Sequence, residues 1–166
     1  MPTIPEVHPF ARFELDPVLL TAITAQGFSR PMPIQGRSIP KIIEGRDVLA
    51  RAETGSGKTA AYVLPLLQKL ISQRREEGLQ AARGHHIRAL ILVPTRELAL
   101  QVSEVVAALG AEMRPTVRCA CVYGGGDIEH QVTVLKRGVE VLVATPARLL
   151  DLISAKAVVF NKLRTL

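Results

Sequence analysis

The stretch Ala52-Glu53-Thr54-Gly55-Ser56-Gly57-Lys58-Thr59 predicts the fold of this chain more strongly than any other stretch. An apolar run, Asp47–Ala52, leads into it, and a helix-patterned segment, Lys58–Leu70, follows it. Glycines let a backbone turn tightly and point several N–H groups at one anion, and a helix N-terminus adds the positive end of its dipole. Lysine then supplies a charge for phosphate groups and threonine a hydroxyl for magnesium. We therefore expect a strand, a phosphate-binding loop and a helix.

The loop matches a relaxed form of the phosphate-binding pattern, because Ala52 stands where a first glycine is usual. A glycine-rich turn ahead of a helix can also be purely structural. The apolar run before the loop and the Gly57-Lys58-Thr59 run at its end favour phosphate binding over that alternative.

Apolar runs with β-branched residues alternate with helix-patterned segments along the chain. The predicted strands are Asp47–Ala52, Arg88–Val93, Val117–Tyr123 and Val139–Ala144, and the predicted helices are Asp16–Gln26, Ile34–Glu44, Lys58–Leu70, Glu97–Leu109, Asp127–Lys136 and Ala147–Ile153. This alternation predicts an α/β fold with a mostly parallel sheet flanked by helices on both faces. The polar stretch Gln73–His86 is expected to be an exposed loop or a frayed helix end.

Composition is consistent with one domain. The chain has 166 residues, of which 48% are hydrophobic and only 4% aromatic, so we expect an aliphatic core. No apolar run reaches membrane-spanning length and the first residues lack a signal-peptide pattern, so we expect a cytoplasmic protein without membrane association. Cys119 and Cys121 lie on one face of a predicted strand, where adjacent thiols make poor disulfide geometry, and are expected to be reduced.

The formal net charge of +6 is unevenly distributed. Basic residues outnumber acidic ones most clearly after residue 132. This bias fits a polyanion partner, but solvated lysines and arginines on helix faces are the commoner explanation.

A second element, Gly27-Phe28-Ser29-Arg30-Pro31-Met32-Pro33-Ile34-Gln35, lies ahead of the loop, with Phe10 further upstream. One interpretation is a helix stop, a proline-fixed turn and a new helix, with Phe28 in the core and Gln35 on the surface. The other is functional. A glutamine presents a donor and an acceptor in one plane, which matches the N6/N7 edge of adenine, and an aromatic ring seven positions earlier can stack on the base.

Short motifs follow the last three predicted strands. They are Pro94-Thr95-Arg96, Gly124-Gly125-Gly126 and Thr145-Pro146-Ala147-Arg148. In open α/β sheets ligands bind at the carboxyl ends of strands, and N–H groups, small hydroxyls and arginines suit a sugar–phosphate backbone. Thr95 and Thr145 can each be only a helix N-cap, and the glycines only a turn. Their occurrence at three consecutive strand ends favours backbone binding.

With these motifs in this order, the chain resembles the first RecA-like domain of a DEAD-box ATP-dependent RNA helicase, most nearly the bacterial RhlE-type branch. The resemblance runs from Phe10 to Leu166. It implies ATP or ADP with Mg²⁺ as ligands and sequence-independent binding of RNA. The implied nucleotide-binding residues are Phe10, Phe28, Arg30, Gln35, Thr54, Gly55, Ser56, Gly57, Lys58 and Thr59, the last also as magnesium ligand. The implied RNA-binding residues are Pro94, Thr95, Arg96, Gly124, Gly125, Thr145, Pro146 and Arg148.

The resemblance divides the chain into an N-terminal extension with the glutamine-motif helices, residues 1–45, and a partial RecA-like domain, residues 46–166, within one structural domain. Two positions depart from the family pattern. Glu53 stands where glutamine is common, and Ala147 stands where glycine is more frequent.

The family's Asp-Glu-Ala-Asp motif does not occur in these 166 residues, which stop at Phe160–Leu166, just ahead of the expected motif strand. The Ser-Ala-Thr element and the second RecA-like domain, expected in a full-length protein, are also missing. We therefore expect this polypeptide to lack ATP hydrolysis and RNA unwinding. Two strands of the family sheet would be missing beside Asp47–Ala52. That leaves a sheet incomplete at its C-terminal end, with three outcomes open: the sheet closes with an altered strand order, a second copy or a swapped segment fills the gap by strand exchange or edge pairing, or the chain is only marginally folded. We expect a folded but perturbed sheet.

Two functions remain open at this point. The chain is either the N-terminal part of a helicase ATPase, in which Lys58 and Thr59 contribute to catalysis, or a catalytically inactive module that binds adenine nucleotide and RNA. A generic P-loop kinase would explain neither Gln35 nor the three strand-end motifs.

Overall fold

The computed structural model describes residues 8–82 and 86–166, with no side-chain description for residues 79–82. Residues 1–7 of the predicted N-terminal extension and residues 83–85 of the polar stretch lie outside this description. A short 3-10 helix, Pro9–Phe13, comes first. The α-helices are α1 (Pro17–Ala25), α2 (Pro33–Ile43), α3 (Lys58–Ala82), α4 (Arg96–Leu109), α5 (Ile128–Lys136) and α6 (Pro146–Ser154), and the strands are β1 (Ala89–Leu92), β2 (Cys119–Val122) and β3 (Val141–Ala144).

Local sequence sets most helix boundaries. Asp16 caps α1 by accepting a hydrogen bond from the Val18 N–H at 3.1 Å, and Gly27 follows the helix with a φ of +74°. Asp127 caps α5 by accepting from the N–H groups of Glu129 and His130. Each such cap satisfies helix N–H groups that have no intrahelical partner. The predicted extents of α1, α2, α4, α5 and α6 are confirmed to within about two residues.

The strands form a parallel three-stranded sheet in the order β1-β3-β2. Every residue of the central strand β3 is buried, because helices cover both faces. On one face, helices α1 to α4 pack against Val141 and Val143. On the other, α5 and α6 pack against Leu142 and Ala144. The predicted α/β architecture with a parallel sheet is confirmed.

The prediction of a strand at Asp47–Ala52 is wrong. These residues are irregular in the structure, and the Leu49 side chain is fully exposed, at 103% of its reference area. A groove of about 560 Å³ separates residues 45–48 from the open edge of β1. Among the described residues, Thr165 makes a single bridge to that otherwise open edge, where its carbonyl accepts a hydrogen bond from the Leu90 N–H at 3.0 Å. A strand forms when a neighbour satisfies its backbone groups, and no described segment pairs with residues 47–52.

Helix α3 is longer than predicted. It continues to Ala82, within the stretch expected to be a loop or frayed end, and Gly78, with a φ of +78°, interrupts its helical geometry. Buried Arg74 binds the Glu140 carboxylate through two hydrogen bonds of 3.0 and 2.6 Å, and Glu77 accepts from Arg88 at 2.7 Å. This part of α3 packs against the rest of the fold through charged side chains. Because those residues are polar, the sequence shows no apolar pattern from which this extension of the helix could be predicted.

The two cysteines are free and partly buried, as predicted. Burial raises the pKa of the Cys119 thiol to about 12 and shifts the pKa of Cys121 in the same direction. Both thiols are therefore uncharged at neutral pH. Over the part of the chain that the structure describes, every helix is too short or too polar to cross a membrane.

Candidate functional site

The phosphate loop, residues Ala52–Thr59, turns directly into α3. Gly55 and Gly57 adopt φ values of +80° and +84°, a conformation that favours glycine. The Lys58 ammonium group turns back over the loop and donates to the carbonyls of Ala52 and Glu53, both at 2.5 Å. The loop thus carries its own positive charge beside the first N–H groups of a long helix, which is a donor set that suits phosphate.

The side chains of Thr59 and Tyr62, which follow Lys58 on α3, are half-buried. Thr59 shares a side-chain hydrogen bond with Tyr62, and burial raises the pKa of the Tyr62 hydroxyl. The Thr59 hydroxyl therefore lies at the first turn of the helix, next to the lysine, where the sequence pattern predicts a magnesium ligand.

Gln35 links the two separate sequence elements predicted to bind nucleotide. Its side chain is buried at 3% exposure, its Oε1 accepts from the Met32 N–H at 2.9 Å, and its Nε2 donates to the Gly57 carbonyl at 3.2 Å. A Cβ added at Gly57 would lie 2.5 Å from that Nε2. The carboxamide keeps one further N–H and one further lone pair, which is the pair of groups that reading an adenine edge requires.

The two aromatic residues of this region occupy different positions. Phe28 is half-buried, whereas Phe10 is fully buried, and their rings stack with centroids 6.5 Å apart. The expectation that Phe10 itself lines a binding surface is therefore corrected, because its ring lies in the core beside Phe28. Arg30 is exposed.

The strand-end surface consists of Pro94–Arg96, Gly124–Gly126 and Thr145–Arg148, at the carboxyl ends of β1, β2 and β3. Backbone hydrogen bonds of 3.0 Å, Val93 N–H to the Ala144 carbonyl and Thr145 N–H to the Val122 carbonyl, extend the strand pairing into these loops. Most of its predicted RNA-binding residues are exposed, but Thr145 and Arg148 are buried. The structure thus brings together the three motifs that the sequence separates by up to fifty residues.

The predicted N-cap alternatives have different outcomes. The Thr95 hydroxyl caps α4 by accepting from the Leu98 N–H at 3.2 Å. Thr145 stands at the corresponding position of α6 without a side-chain cap hydrogen bond.

Side chains connect all three motifs behind the strand-end surface. Arg148 donates to the Gln131 Oε1 at 2.9 Å and to the Gly126 carbonyl at 3.1 Å. The Gln131 side chain also binds both polar groups of the Tyr123 backbone: it accepts from the N–H at 3.3 Å and donates to the carbonyl at 3.2 Å. The Arg96 guanidinium lies 4.8 Å from the centre of the Tyr123 ring. One contact chain therefore runs from the start of α4 to the start of α6.

Sequence reasoning missed Tyr123 and Gln131. A signal for Gln131 exists, because it is four residues before buried Leu135 and therefore shares the sheet-facing side of α5. A polar residue on an apolar helix face needs a partner, which here is the Tyr123 backbone and Arg148. Tyr123 carries no comparable signal.

An α/β domain with a glycine-rich loop beside a buried glutamine, and with further loops gathered at three strand ends, has the architecture of the P-loop nucleotide-binding domains, in which ligands bind at the carboxyl ends of the strands. Comparison with protein-family models gives the family: this chain belongs to the DEAD/DEAH box helicases, whose model matches residues 32–166.

Individual relatives agree with this assignment. The chain is 41% identical over 133 residues, 80% of its length, to the DEAD-box ATP-dependent RNA helicase RhpA of Helicobacter pylori. It is 38% identical over 157 residues, 95% of its length, to the ATP-dependent RNA helicase CshA of Listeria monocytogenes. It is 45% identical over 147 residues, 89% of its length, to the ATP-dependent RNA helicase DHH1 of Vanderwaltozyma polyspora. The chain spans about a quarter of each of these relatives, 24% to 28%.

Proposed function

We propose that this chain is the N-terminal ATP- and RNA-binding domain of an ATP-dependent RNA helicase, of the RhlE-type branch, which acts with a second RecA-like domain in a full-length protein. The single observation that carries the nucleotide part is the hydrogen bond from Gln35 to Gly57, because it joins a base-reading group to the phosphate loop. Family membership and the helicase names of the relatives support the rest.

The nucleotide would be held by side chains and backbone of both elements. The N–H groups of the phosphate loop and the Lys58 ammonium would bind its phosphates, and the Thr59 hydroxyl would bind the accompanying Mg²⁺. Gln35 would read the adenine edge while Phe28 packs on the ring. When bound, ATP supplies the phosphoanhydride bond whose cleavage drives helicases. The residues of this chain position and neutralise its phosphates.

RNA would lie along the strand-end surface. Exposed Gly124 and Gly125 offer backbone N–H groups, and the first turns of α4 and α6 offer the positive ends of two helix dipoles. None of these groups reads a base edge, so binding should be independent of sequence and should weaken as salt rises.

Nucleotide selectivity tests the first half of this proposal. Titration with fluorescent ADP and GDP, with and without Mg²⁺, should show preference for the adenine nucleotide. Gln35→Ala should remove that preference and leave binding of inorganic phosphate intact. Equal affinity for the two nucleotides in the unaltered chain would exclude adenine reading by Gln35.

A matched pair of glycine variants tests the loop itself. Gly57→Ala meets both an unfavourable φ and the Gln35 side chain, whereas Gly55→Ala meets the same φ with nothing within 4 Å. Both variants carry the backbone strain of about 1–2 kcal/mol. Gly57→Ala should additionally displace Gln35, so the adenine preference should disappear in that variant and persist in Gly55→Ala.

Turnover separates the enzyme from the binding module. The 166-residue sequence contains Lys58 and Thr59 but no Asp-Glu-Ala-Asp motif, so the catalytic carboxylates that hold Mg²⁺ and orient water are missing from it. We therefore propose that this polypeptide alone binds without turnover. RNA-stimulated release of phosphate from ATP by the purified chain would contradict that statement.

Association between copies is a separate proposal, supported by the open edge of β1 beside the groove. Light scattering checks it, and a monomer at all accessible concentrations would argue against edge pairing. The cytoplasmic location also stays a proposal, which fractionation of source cells would check.

A further inference from the structure

The buried contacts of Arg148 suggest a role different from the one its sequence position implies. Arg148 is 8% exposed, and its guanidinium donates to Gln131 and to the Gly126 carbonyl and does not face the solvent at the strand-end surface. Asp151 approaches its Nε at 3.7 Å. A side chain enclosed in this way is poorly placed to neutralise a phosphate of a passing strand.

Gln131 has all the properties of a group that fixes a loop. It is 7% exposed and binds both backbone polar groups of Tyr123, as a neighbouring strand would. The same Oε1 also accepts a hydrogen bond from Arg148. The packing on its other side is equally tight, because a Cβ at Gly126 would lie 2.8 Å from its Nε2 and 3.1 Å from the Tyr123 ring.

These contacts lie directly behind the groups that would touch RNA. Gly124 and Gly125 are exposed, with nothing within 4 Å of where a Cβ would stand, and Gly125 has a φ of +78°. Pro146 and Ala147, at the start of α6, are the neighbouring exposed residues. Gln131 and Arg148 join the first of these exposed segments to the second.

We propose that Gln131 and Arg148 are positioning residues for RNA binding. They hold the Gly124–Gly125 backbone at a fixed spacing from the N-terminus of α6, and neither contacts RNA. The inference deepens the proposed function and rests on it for the identity of the ligand. It assigns a role to Gln131, which no sequence motif identified, and it replaces direct phosphate contact by Arg148 with support through Gly126.

The test compares variants by binding of a labelled single-stranded oligouridylate, measured by fluorescence anisotropy over a series of salt concentrations. Gln131→Ala and Arg148→Gln should each weaken binding roughly 3- to 10-fold, the range that loss of one or two intramolecular hydrogen bonds gives. The slope of affinity against salt should stay unchanged. Loss of a phosphate contact by Arg148 would instead reduce that slope by about 0.7 for a single strand.

Conservative and matched variants make the result specific. Arg148→Lys keeps the charge but not the two directed hydrogen bonds, so it should bind as weakly as Arg148→Gln. The double variant should be little worse than either single one, because both break the same link. Arg137→Gln removes a charge from an exposed residue at the far end of α5, and Gln26→Ala removes an exposed carboxamide after α1. Both controls should bind like the unaltered chain.

Amide hydrogen exchange without RNA gives an independent readout. Gln131→Ala should speed exchange at Tyr123 and Gly124–Gly126 while leaving β3 protected. Unchanged exchange, or a reduced salt slope in Arg148→Gln, would overturn the positioning role. An unaltered chain that fails to bind the oligonucleotide would overturn the proposed RNA binding, and the RNA role of this pair with it, even if the loop loosens as expected.

Discussion

The Gly124–Gly126 turn and the phosphate loop are both glycine-rich turns that lead into a helix, but different parts of the structure hold them. Strand β2 lies in the sheet and delivers the first turn, which Gln131 and Arg148 then fix from behind. No strand delivers the second. It lies between the exposed residues 47–51 and α3, and its contacts include Gln35 and its own lysine.

A glycine-rich turn signal in the sequence therefore does not specify how firmly the surrounding structure holds the turn. Pairing between neighbouring strands positions the strand-end surface without a bound ligand. The phosphate loop depends on the helix that follows it and on α2, which supplies Gln35. Four sets of substitutions test this contrast.

Glu140→Gln should have the largest effect, because Glu140 joins the central strand of the sheet to helix α3 through a buried ion pair. It is fully buried at the start of β3 and pairs with Arg74 from α3, the helix of the phosphate loop. Removing one partner leaves a buried guanidinium without its counter-charge, which costs about 3–5 kcal/mol of unfolding free energy. Urea unfolding measures the loss. Glu104→Gln on the exposed face of α4 is the control, and a loss equally small in both would show that the pair contributes nothing.

A pair of leucine-to-alanine variants compares a strand of the sheet with the irregular segment that precedes the phosphate loop. Leu142 in β3 is fully buried, whereas Leu49 ahead of the phosphate loop is fully exposed. Leu142→Ala should lower the unfolding free energy by about 2–5 kcal/mol, and Leu49→Ala should change it by less than about 0.5 kcal/mol. Both follow from the same urea titrations. A comparable loss at Leu49 would mean that residues 47–52 are packed in solution.

The two threonines of the strand-end surface should differ in how much they contribute to the stability of the fold. Thr95 caps α4 and Thr145 makes no cap hydrogen bond. Thr95→Ala should therefore lower stability by about 1 kcal/mol, and Thr95→Ser should restore most of it. Thr145→Ala should cost less stability, and calorimetric melting temperatures of the three variants check the order. Equal losses for the two alanine variants would contradict the assigned caps.

The smallest effect concerns the far end of α3. The hydrogen bond from Arg88 lowers the pKa of the Glu77 carboxyl below its ordinary value of 4.5. A carboxyl with a lowered folded-state pKa stabilises the fold above its unfolded pKa, and that stabilisation is lost as pH falls through the folded value. The contribution should be below about 1 kcal/mol, since the pair is partly solvated. Glu77→Gln should flatten the decline in stability on acidification below about pH 4.5, with Glu76→Gln, an exposed neighbour, as the control.

Much of the candidate site could be predicted from the residues. The capping signals at Asp16 and Asp127, the apolar runs of β1 to β3 and the glycines of the phosphate loop specify their structures through local backbone preferences. The same signals placed three motifs at strand ends, and the parallel sheet confirms that position. The sequence did not reveal that Phe10 lies in the core, because an aromatic residue near a motif looks the same in sequence whether it lies on the surface or behind another ring.

Local chemistry, then, determined the helices, the buried strands and the residue types of both sites. Tertiary structure decided the rest. It left Asp47–Ala52 outside the sheet, because an apolar run becomes a strand only with a backbone partner beside it. It also turned Arg148 inward to Gln131 and Gly126, because hydrogen bonds between residues far apart in the chain arise only once the sheet has brought their loops together.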